Sequence, residues 1–550
     1  MKMINLLIFI FLFLNTFYIT INLKCGADKL KIKPGPLHLP QDKKRRLINS
    51  YRPIKIVADY SNLKTTGSIK SETLEKTKNL IDETCEEFSK FLKVQHEIIN
   101  LDGYESLIKE KCELDSIDSN YANFLKNNDI IIFPSFDSTL GGSTLAAAGL
   151  CLYNSETLKP YVGVLLINPE LSFSKRNTDI YMKNLLFHEI THVLVFNPEL
   201  MKALGMTYTK IFDGSFVTFI ISPKVLTAAR RHFNCTTLNG VPLENQGGEG
   251  SVGSHWESRY MLGDYMISTD YIDNVLSDIT LALFEDSGFY KVEYYSGGLF
   301  KYGKNMGCSF FDNKCVQKGV TEFKNDFCVN PGSSFCARSR GLKGKCIIDQ
   351  YSDIPKRYRY FENKKWGGFI PANYCPVSNV EGSNSDYYPT SCYVGTSSLD
   401  PQFGETIGKS SFCFISSLSP INSTSNLQEQ AICYKVDCDS INKQIIVNIG
   451  SHQIKCPTDG GTITSPDGFK GNINCPEYSD ICGFDSEDNL LCNEMFSCIN
   501  NKIETDVNTL GYFIDEDDDY DFNKIIVKSS STTLIFNFYF FILYLLICFI

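Results

Sequence analysis

His188-Glu189-Ile190-Thr191-His192 sets two imidazoles four residues apart with a carboxylate beside the first. On an α-helix, residues at that spacing share one face, so both rings can bind one metal ion while Glu189 reaches a water beside it. This H-E-x-x-H pattern predicts zinc-dependent hydrolysis. Leu185, Leu186, Ile190, Val193 and Leu194 read as the core-facing residues of the same helix. Asn197-Pro198 closes the segment, because the residue before a proline is pushed out of helical conformation.

A catalytic zinc usually takes three protein ligands and keeps a position open for water. The chain has seven His, and the other five are His38, His96, His232, His255 and His452. His255 is the preferred third ligand, since the glycine-rich approach from Gly247 to Gly253 lets backbone pass close to a metal. A downstream Glu is the alternative. Met266, in Gly263-Asp264-Tyr265-Met266-Ile267, is placed to form a turn beneath the metal, although a lone Met more often simply packs in a core.

Taken with Phe233-Asn234-Cys235, Leu243-Glu244-Asn245-Gln246-Gly247-Gly248, Gly253-Ser254-His255-Trp256-Glu257, Arg259, Ala282 to Tyr290 and Gly303 to Cys308, the chain resembles the leishmanolysin-type zinc metalloproteases. These are metzincins with a long insertion before the third His. The resemblance runs from about Arg52 to Cys482. It implies an α+β fold: a metzincin-like zinc protease core, made of a mixed sheet plus an active-site helix, with a loop-rich, disulfide-rich C-terminal domain. It also implies one catalytic Zn2+ on His188, His192 and His255, with Glu189 as general base and Met266 as the Met-turn residue. A Cys235–Cys308 disulfide and protein or peptide substrates follow from the same likeness, as does a part in cell adhesion. In metzincins an edge strand pairs with extended substrate, and Val162, Gly163, Val164, Leu165 and Leu166 are the residues expected to form it.

One departure stands out, because metzincins usually carry Gly three residues after the second His and this chain has Val195. A β-branched residue resists the positive φ that Gly accepts, so the turn is either built differently or strained. Val195 supports a second reading, a catalytically weak or inactive surface adhesion or binding protein on the same fold.

The elements that must position these residues are visible in part. Ser71 to Val94 has apolar residues at helical spacing, Ile130 to Phe133 reads as a buried strand, and Tyr161 to Asn168 as another. Arg52 to Val57 looks like the first strand of the mature enzyme, and the small residues from Gly141 to Cys151 read as a loop. After about residue 300, Gly, Ser, Asn, Tyr and Cys dominate without a long helical period.

Seven segments are expected: 1–23 a signal peptide, 24–46 a short propeptide, 47–198 the N-terminal catalytic subdomain with the zinc helix, and 199–300 a central subdomain with the third His and Met-turn. Then come 301–500, a Cys-rich C-terminal domain, 501–533, an acidic and Ser/Thr stalk, and 534–550, a hydrophobic tail. The apolar run after Met1-Lys2-Met3 is the secretory signal. Lys24-Cys25-Gly26-Ala27-Asp28 partly resembles the family's inhibitory propeptide motif, making Cys25 either a zymogen switch or an ordinary disulfide Cys. Lys43-Lys44-Arg45-Arg46 is either a processing site or a solvated charge run. The tail reads as a signal for a glycosylphosphatidylinositol (GPI) anchor or as a single membrane span, and either places the protein on the extracellular face of the cell surface, held to the membrane.

Twenty-one Cys, mostly late in the chain, fit an oxidising compartment. Their number does not give connectivity, and Cys85 with Cys112 is one pairing expected here. Asn422 and Asn234 sit in N-glycosylation patterns. A net charge of −10 with no basic stripe excludes nucleic acid as a partner.

Overall fold

Leu80, Ile81, Thr84, Cys85, Phe88 and Phe91 bury one side of a helix of 21 residues, Ser71–Phe91, as the apolar spacing predicts. A second helix, Asp179–Leu194, carries the H-E-x-x-H motif. Phe88 and Phe187 stack between the two helices with ring centroids 4.1 Å apart. These elements belong to a computed structural model that describes residues 32–38 and 46–482, apart from 66–68, 141–143, 170–178, 213–214, 247–250, 270–273, 293–299, 380–390, 393–402, 409 and 425–427. The expected signal peptide, Cys25, Lys43 to Arg45, the stalk and the hydrophobic tail lie outside the described residues. Among the described residues, no helix is long and apolar enough to cross a membrane.

Before the motif helix come β1 (Gly35–Leu37), β2 (Arg46–Pro53), β3 (Ile56–Ala58), β4 (Leu92–Ile98), β5 (Ile130–Phe136), β6 (Ala146–Asn154) and β7 (Pro160–Ile167). Five of them form one mixed sheet in the order β1-β6-β7-β5-β3. β3, β5 and β7 are parallel, β6 runs antiparallel to β7, and β1 runs parallel to β6. The stretch Arg52 to Val57 thus divides between two sheets, since β2 pairs with β4 and β3 with β5.

Two expectations about this sheet are overturned. Val162, Gly163, Val164, Leu165 and Leu166 do not form an edge, because β7 is bonded to β5 on one side and to β6 on the other. The near-continuous apolar run of β7 is the pattern of an inner strand covered on both faces. Beyond β7 lies β6, which β1 covers only at Leu152 to Asn154, so among the described strands Ala146 to Cys151, which the sequence reads as a loop, have no partner on that side. Alanine is a poor strand former, but Ala146, Ala147 and Ala148 are buried where the motif helix packs on β6. Gly163 serves a related purpose in β7, where a Cβ would run into the Val193 side chain of that helix.

β1 lies within the stretch expected as a propeptide, yet it is part of the sheet. Gly35, Pro36 and Leu37 pair with Leu152, Tyr153 and Asn154, and Leu37 is buried. The Tyr104 hydroxyl donates to the His38 carbonyl at 2.6 Å.

After the motif helix, β8 (Thr207–Phe212), β9 (Ser215–Ile220) and β10 (Val241–Pro242) make a sheet in the order β10-β9-β8. The helix Pro223–Phe233 lies between β9 and β10. The Cys235–Cys308 disulfide implied by the family likeness is present. Cys112, however, pairs with Cys151, and Cys85 is a buried free thiol within the long helix, facing the core rather than another Cys. The core around the motif helix runs on through Ile354, Tyr358, Tyr360 and Val377.

The last described portion is rich in disulfides, including Cys336–Cys413, Cys392–Cys433, Cys438–Cys482 and Cys456–Cys475. It contains a six-stranded sheet running from His452–Lys455 through Gln444–Ile449, Gln430–Asp439, Ser411–Ser416 and Asn472–Cys475 to Gly461–Thr464. This sheet has its own core around Phe414, Tyr434, Val447 and Ile473. A mixed α+β core followed by a disulfide-stapled β-rich portion is the architecture expected from the sequence.

Candidate metal centre

His188 and His192 lie one turn apart on the motif helix, and the third imidazole reaches them from a strand-like segment far along the chain. Leu243 bridges antiparallel to Trp256, and Trp256 bridges parallel to Ile267. The Glu244 N–H donates to the His255 carbonyl at 2.8 Å, and the Trp256 N–H donates to the Met266 carbonyl at 2.9 Å. His255 is therefore held between the end of the β10 segment and the turn that contains Met266. Trp256 is fully buried, and its indole N–H donates to Thr280 Oγ1 at 2.8 Å.

The three rings converge through their Nε2 atoms. His188 Nε2 is 3.1 Å from His192 Nε2 and 3.2 Å from His255 Nε2. Each Nδ1 faces an oxygen: His188 the Tyr265 carbonyl at 2.6 Å, and His192 the Phe196 carbonyl at 2.8 Å. His255 Nδ1 faces Ser254 Oγ at 2.8 Å and the Ser251 carbonyl at 3.3 Å. A carbonyl only accepts, so His188 and His192 carry their proton on Nδ1. At His255 the Ser254 hydroxyl can donate to the Ser251 carbonyl, 3.3 Å away, and accept from Nδ1. All three Nε2 lone pairs then point at one another.

Bare lone pairs at this distance repel unless a cation lies among them. Zinc–imidazole bonds of about 2.0–2.1 Å in a tetrahedron separate their nitrogens by about 3.3 Å, within a few tenths of the spacing found here. Carbonyl partners that fix the tautomer and aim the ring are what metal-bound imidazoles generally have. The donor set thus fits a metal ion, and among the described residues this is the one such grouping of His, Cys, Asp or Glu. Burial, followed by the neighbouring His188, lowers the His192 pKa to about 3, with the Phe196 carbonyl pulling the other way. Burial, then His192 and His188, holds His255 well below the ordinary value. His192 and His255 are consequently neutral ligands at neutral pH.

Glu189 is fully buried next to His188. Met266 is buried in a turn whose N–H donates to Asp264 Oδ1 at 2.8 Å. Asp264 Oδ2 accepts from Thr280 Oγ1 at 2.7 Å. Desolvation raises the Asp264 pKa to about 6, against hydrogen bonds from Ser277, Met266 and Thr280 that favour the charged form. Gly247 and Gly248, the start of the approach to His255, lie outside the described residues.

Val195 does not take the left-handed conformation, since it is not among the described non-glycine residues with positive φ. Instead the Thr191 carbonyl accepts from both Val195 N and Phe196 N at 3.0 Å. The Asn197 side chain then accepts from Leu200 N and caps a new short helix, Pro198–Ala203. This closure brings the Phe196 carbonyl to His192.

Several partners of the site have no sequence signature. The carbonyls of Tyr265 and Phe196 are backbone groups, and the Tyr265 hydroxyl lies 3.1 Å from Thr191 Oγ1. Glu244 and Glu257 form a second buried layer. Asn245 Nδ2 donates to Glu257 Oε2 at 2.8 Å and Ser268 Oγ to Glu244 Oε2 at 3.0 Å. Burial raises the pKa of both carboxyls, and the charge of Glu257 adds to the rise at Glu244.

The other singled-out residues stand apart from this centre. Asn422 is exposed in a turn, and Asn234 is the exposed left-handed cap of the helix Pro223–Phe233, one residue before a disulfide Cys.

Comparison with known proteins adds an independent line. A family profile described as Leishmanolysin matches residues 80–488. The chain is 31% identical over 391 residues to the "Leishmanolysin homolog" of Crithidia fasciculata, covering 66% of this chain and 57% of that protein. It is 28% identical over 376 residues to the "Leishmanolysin" of Leishmania chagasi, covering 65% and 60% respectively. To the "Leishmanolysin-like peptidase" of Drosophila melanogaster it is 25% identical over 454 residues, covering 68% and 66%. The chain therefore spans less than two thirds of the length of each of these relatives.

Proposed function

The chain belongs to the leishmanolysin family, and from that premise we propose that it is a zinc metalloendopeptidase that hydrolyses peptide bonds in protein substrates. The observation that carries this reading is the convergence of the three imidazoles, with His188 Nε2 3.1 Å from His192 Nε2 and 3.2 Å from His255 Nε2 and each Nδ1 committed elsewhere. In this reading His188, His192 and His255 hold one Zn2+, and Met266 forms the turn beneath it. A zinc ion so held lowers the pKa of water and polarises the scissile carbonyl.

Glu189 takes a proton from the attacking water and delivers it to the leaving amine, acting first as base and then as acid. The Tyr265, Phe196 and Ser251 carbonyls keep the three imidazoles in one tautomer throughout. Extended substrate pairs along Ala146 to Cys151 of β6, where β1 does not reach and where no described strand covers the edge.

The second reading, a surface adhesion or binding protein without turnover, drew on Val195. The turn there is made without a positive φ, which takes that support away. Disulfides favour the secretory route. We place the protein on the extracellular face of the cell surface, anchored through residues 534–550. Cys25 acts as the zymogen switch and Asn422 carries glycan in preference to Asn234.

Metal analysis tests the centre apart from turnover. Wild-type protein and Glu189→Ala should each retain about one zinc per chain after dialysis, and His255→Ala should lose it. Zinc retained undiminished by His255→Ala would contradict the ligand set and favour a carboxylate as third ligand.

A further inference from the structure

We propose that the free edge of β8 is a docking site for an extended, apolar stretch of protein substrate, separate from the metal centre. This rests on the peptidase reading above.

Among the described strands, β8 pairs with β9 alone. The Thr218 carbonyl of β9 accepts from Leu243 N at 2.8 Å, on the side of β9 away from β8. Thr218 is the register partner of Thr209, so Thr209 belongs to a non-hydrogen-bonded pair and turns its own N–H and C=O outward. Alternation gives Thr207 and Ile211 the same direction. The outer edge of β8 thus offers three residues' worth of backbone donors and acceptors.

The side chains around that edge are apolar. Ile211 and Phe216 are cross-strand partners, 60% and 68% exposed, on one face of the hairpin. Tyr208 and Phe212, 49% and 40% exposed, lie on the other. Edge strands are ordinarily blunted by charges, Pro or bulges. β8 has a single charged residue, and the Lys210 ammonium lies 4.8 Å from the centre of the Phe212 ring rather than guarding the edge.

An extended peptide suits both features, because its backbone pairs with the open groups while its side chains alternate between the two apolar faces. The hairpin is held ready for this, since Arg357 Nη1 donates to the Phe212 carbonyl at 3.0 Å. Backbone pairing also joins it to the metal centre. From β9 the ladder passes to β10 and Leu243, and from Leu243 to Trp256, the neighbour of His255. A substrate long enough to engage β8 is thereby presented to the wall that supplies the third imidazole. A short peptide in the site has no segment to place there.

The test compares full-length wild type with an I211S/F216S double variant on reduced, carboxymethylated lactalbumin and on a short peptide spanning one of its cleavage sites. KM for the unfolded protein should rise about tenfold with kcat unchanged, and both constants for the short peptide should stay as in wild type. In a Glu189→Ala background, fluorescence anisotropy should show the affinity for labelled carboxymethylated lactalbumin weakened by the same factor.

Unchanged KM and unchanged affinity would overturn the proposal, as would an equal loss on the short peptide. Concentration-dependent dimers of wild type that the double variant abolishes would also overturn it, by giving the edge to a second copy of this chain. If wild type cleaves neither substrate, the peptidase reading has failed, and the affinity measurement still decides whether β8 holds extended chains.

Discussion

At the scale of single residues, the motif histidines, Glu189, His255 and Met266 were all singled out by type and spacing, and the structure brings the three imidazoles together. What aims them was not legible, because Tyr265, Phe196 and Ser251 contribute carbonyl oxygens that every residue possesses. Val195 shows the limit of reading a position by its usual occupant. The turn is closed by a doubly accepting Thr191 carbonyl, which needs no glycine. Cys85 was equally illegible as a free thiol, since an odd cysteine in a disulfide-rich chain can be any of them. Its pKa is raised by burial first and by the Asp82 charge second. Native protein at about pH 8 should therefore leave Cys85 unalkylated, with labelling only on unfolding, as residue-level mass spectrometry of iodoacetamide-treated protein would show. Rapid native labelling at Cys85 would contradict the packing.

At the scale of elements, apolar periodicity located the long helix, the motif helix, β5 and β7, since each has enough residues to display its period. Strand order was not in that signal. Nothing in Val162 to Leu166 says whether one neighbour or two will bond to it, and the alanine run of β6 disguised a strand as a loop. Gly163 ties the two observations together, for it lets β7 pass under Val193 of the motif helix. Gly163→Ala should destabilise the protein by about 1–3 kcal/mol through overpacking. Trimming the obstacle with Val193→Ala should recover part of that loss, so a double-mutant cycle in urea should show coupling of about 0.5 kcal/mol or more. Additive losses would mean that the close approach is not where the strain arises.

At the scale of the whole molecule, the disulfide-rich portion was expected from its cysteines, but its joints to the core were not. One of them is Lys301, buried, with Nζ donating to the Ser479 carbonyl at 2.9 Å next to Asp480 and Arg338. Burial, followed by repulsion from Lys304, lowers its pKa to about 7. An unfolded chain keeps that proton up to a pH of about 10, so between these values unfolding takes up a proton and Lys301 makes stability rise with pH. The slope is at most about 1.4 kcal/mol per pH unit and vanishes below pH 7, where both states are protonated. Lys301→Met should lack this rise when urea midpoints are compared with wild type from pH 7 to 9. Identical profiles would place the ammonium in water.

The central claim is that the histidine centre and Glu189 together hydrolyse peptide bonds, and it is met most directly by incubating a denatured protein with wild-type chain, Glu189→Ala and wild type plus a zinc chelator. Cleavage by wild type that is lost in the other two, with Glu189→Ala still folded and still holding zinc, is the predicted result. Zinc-loaded wild type that cuts nothing, also after removal of residues through Arg46, would contradict it.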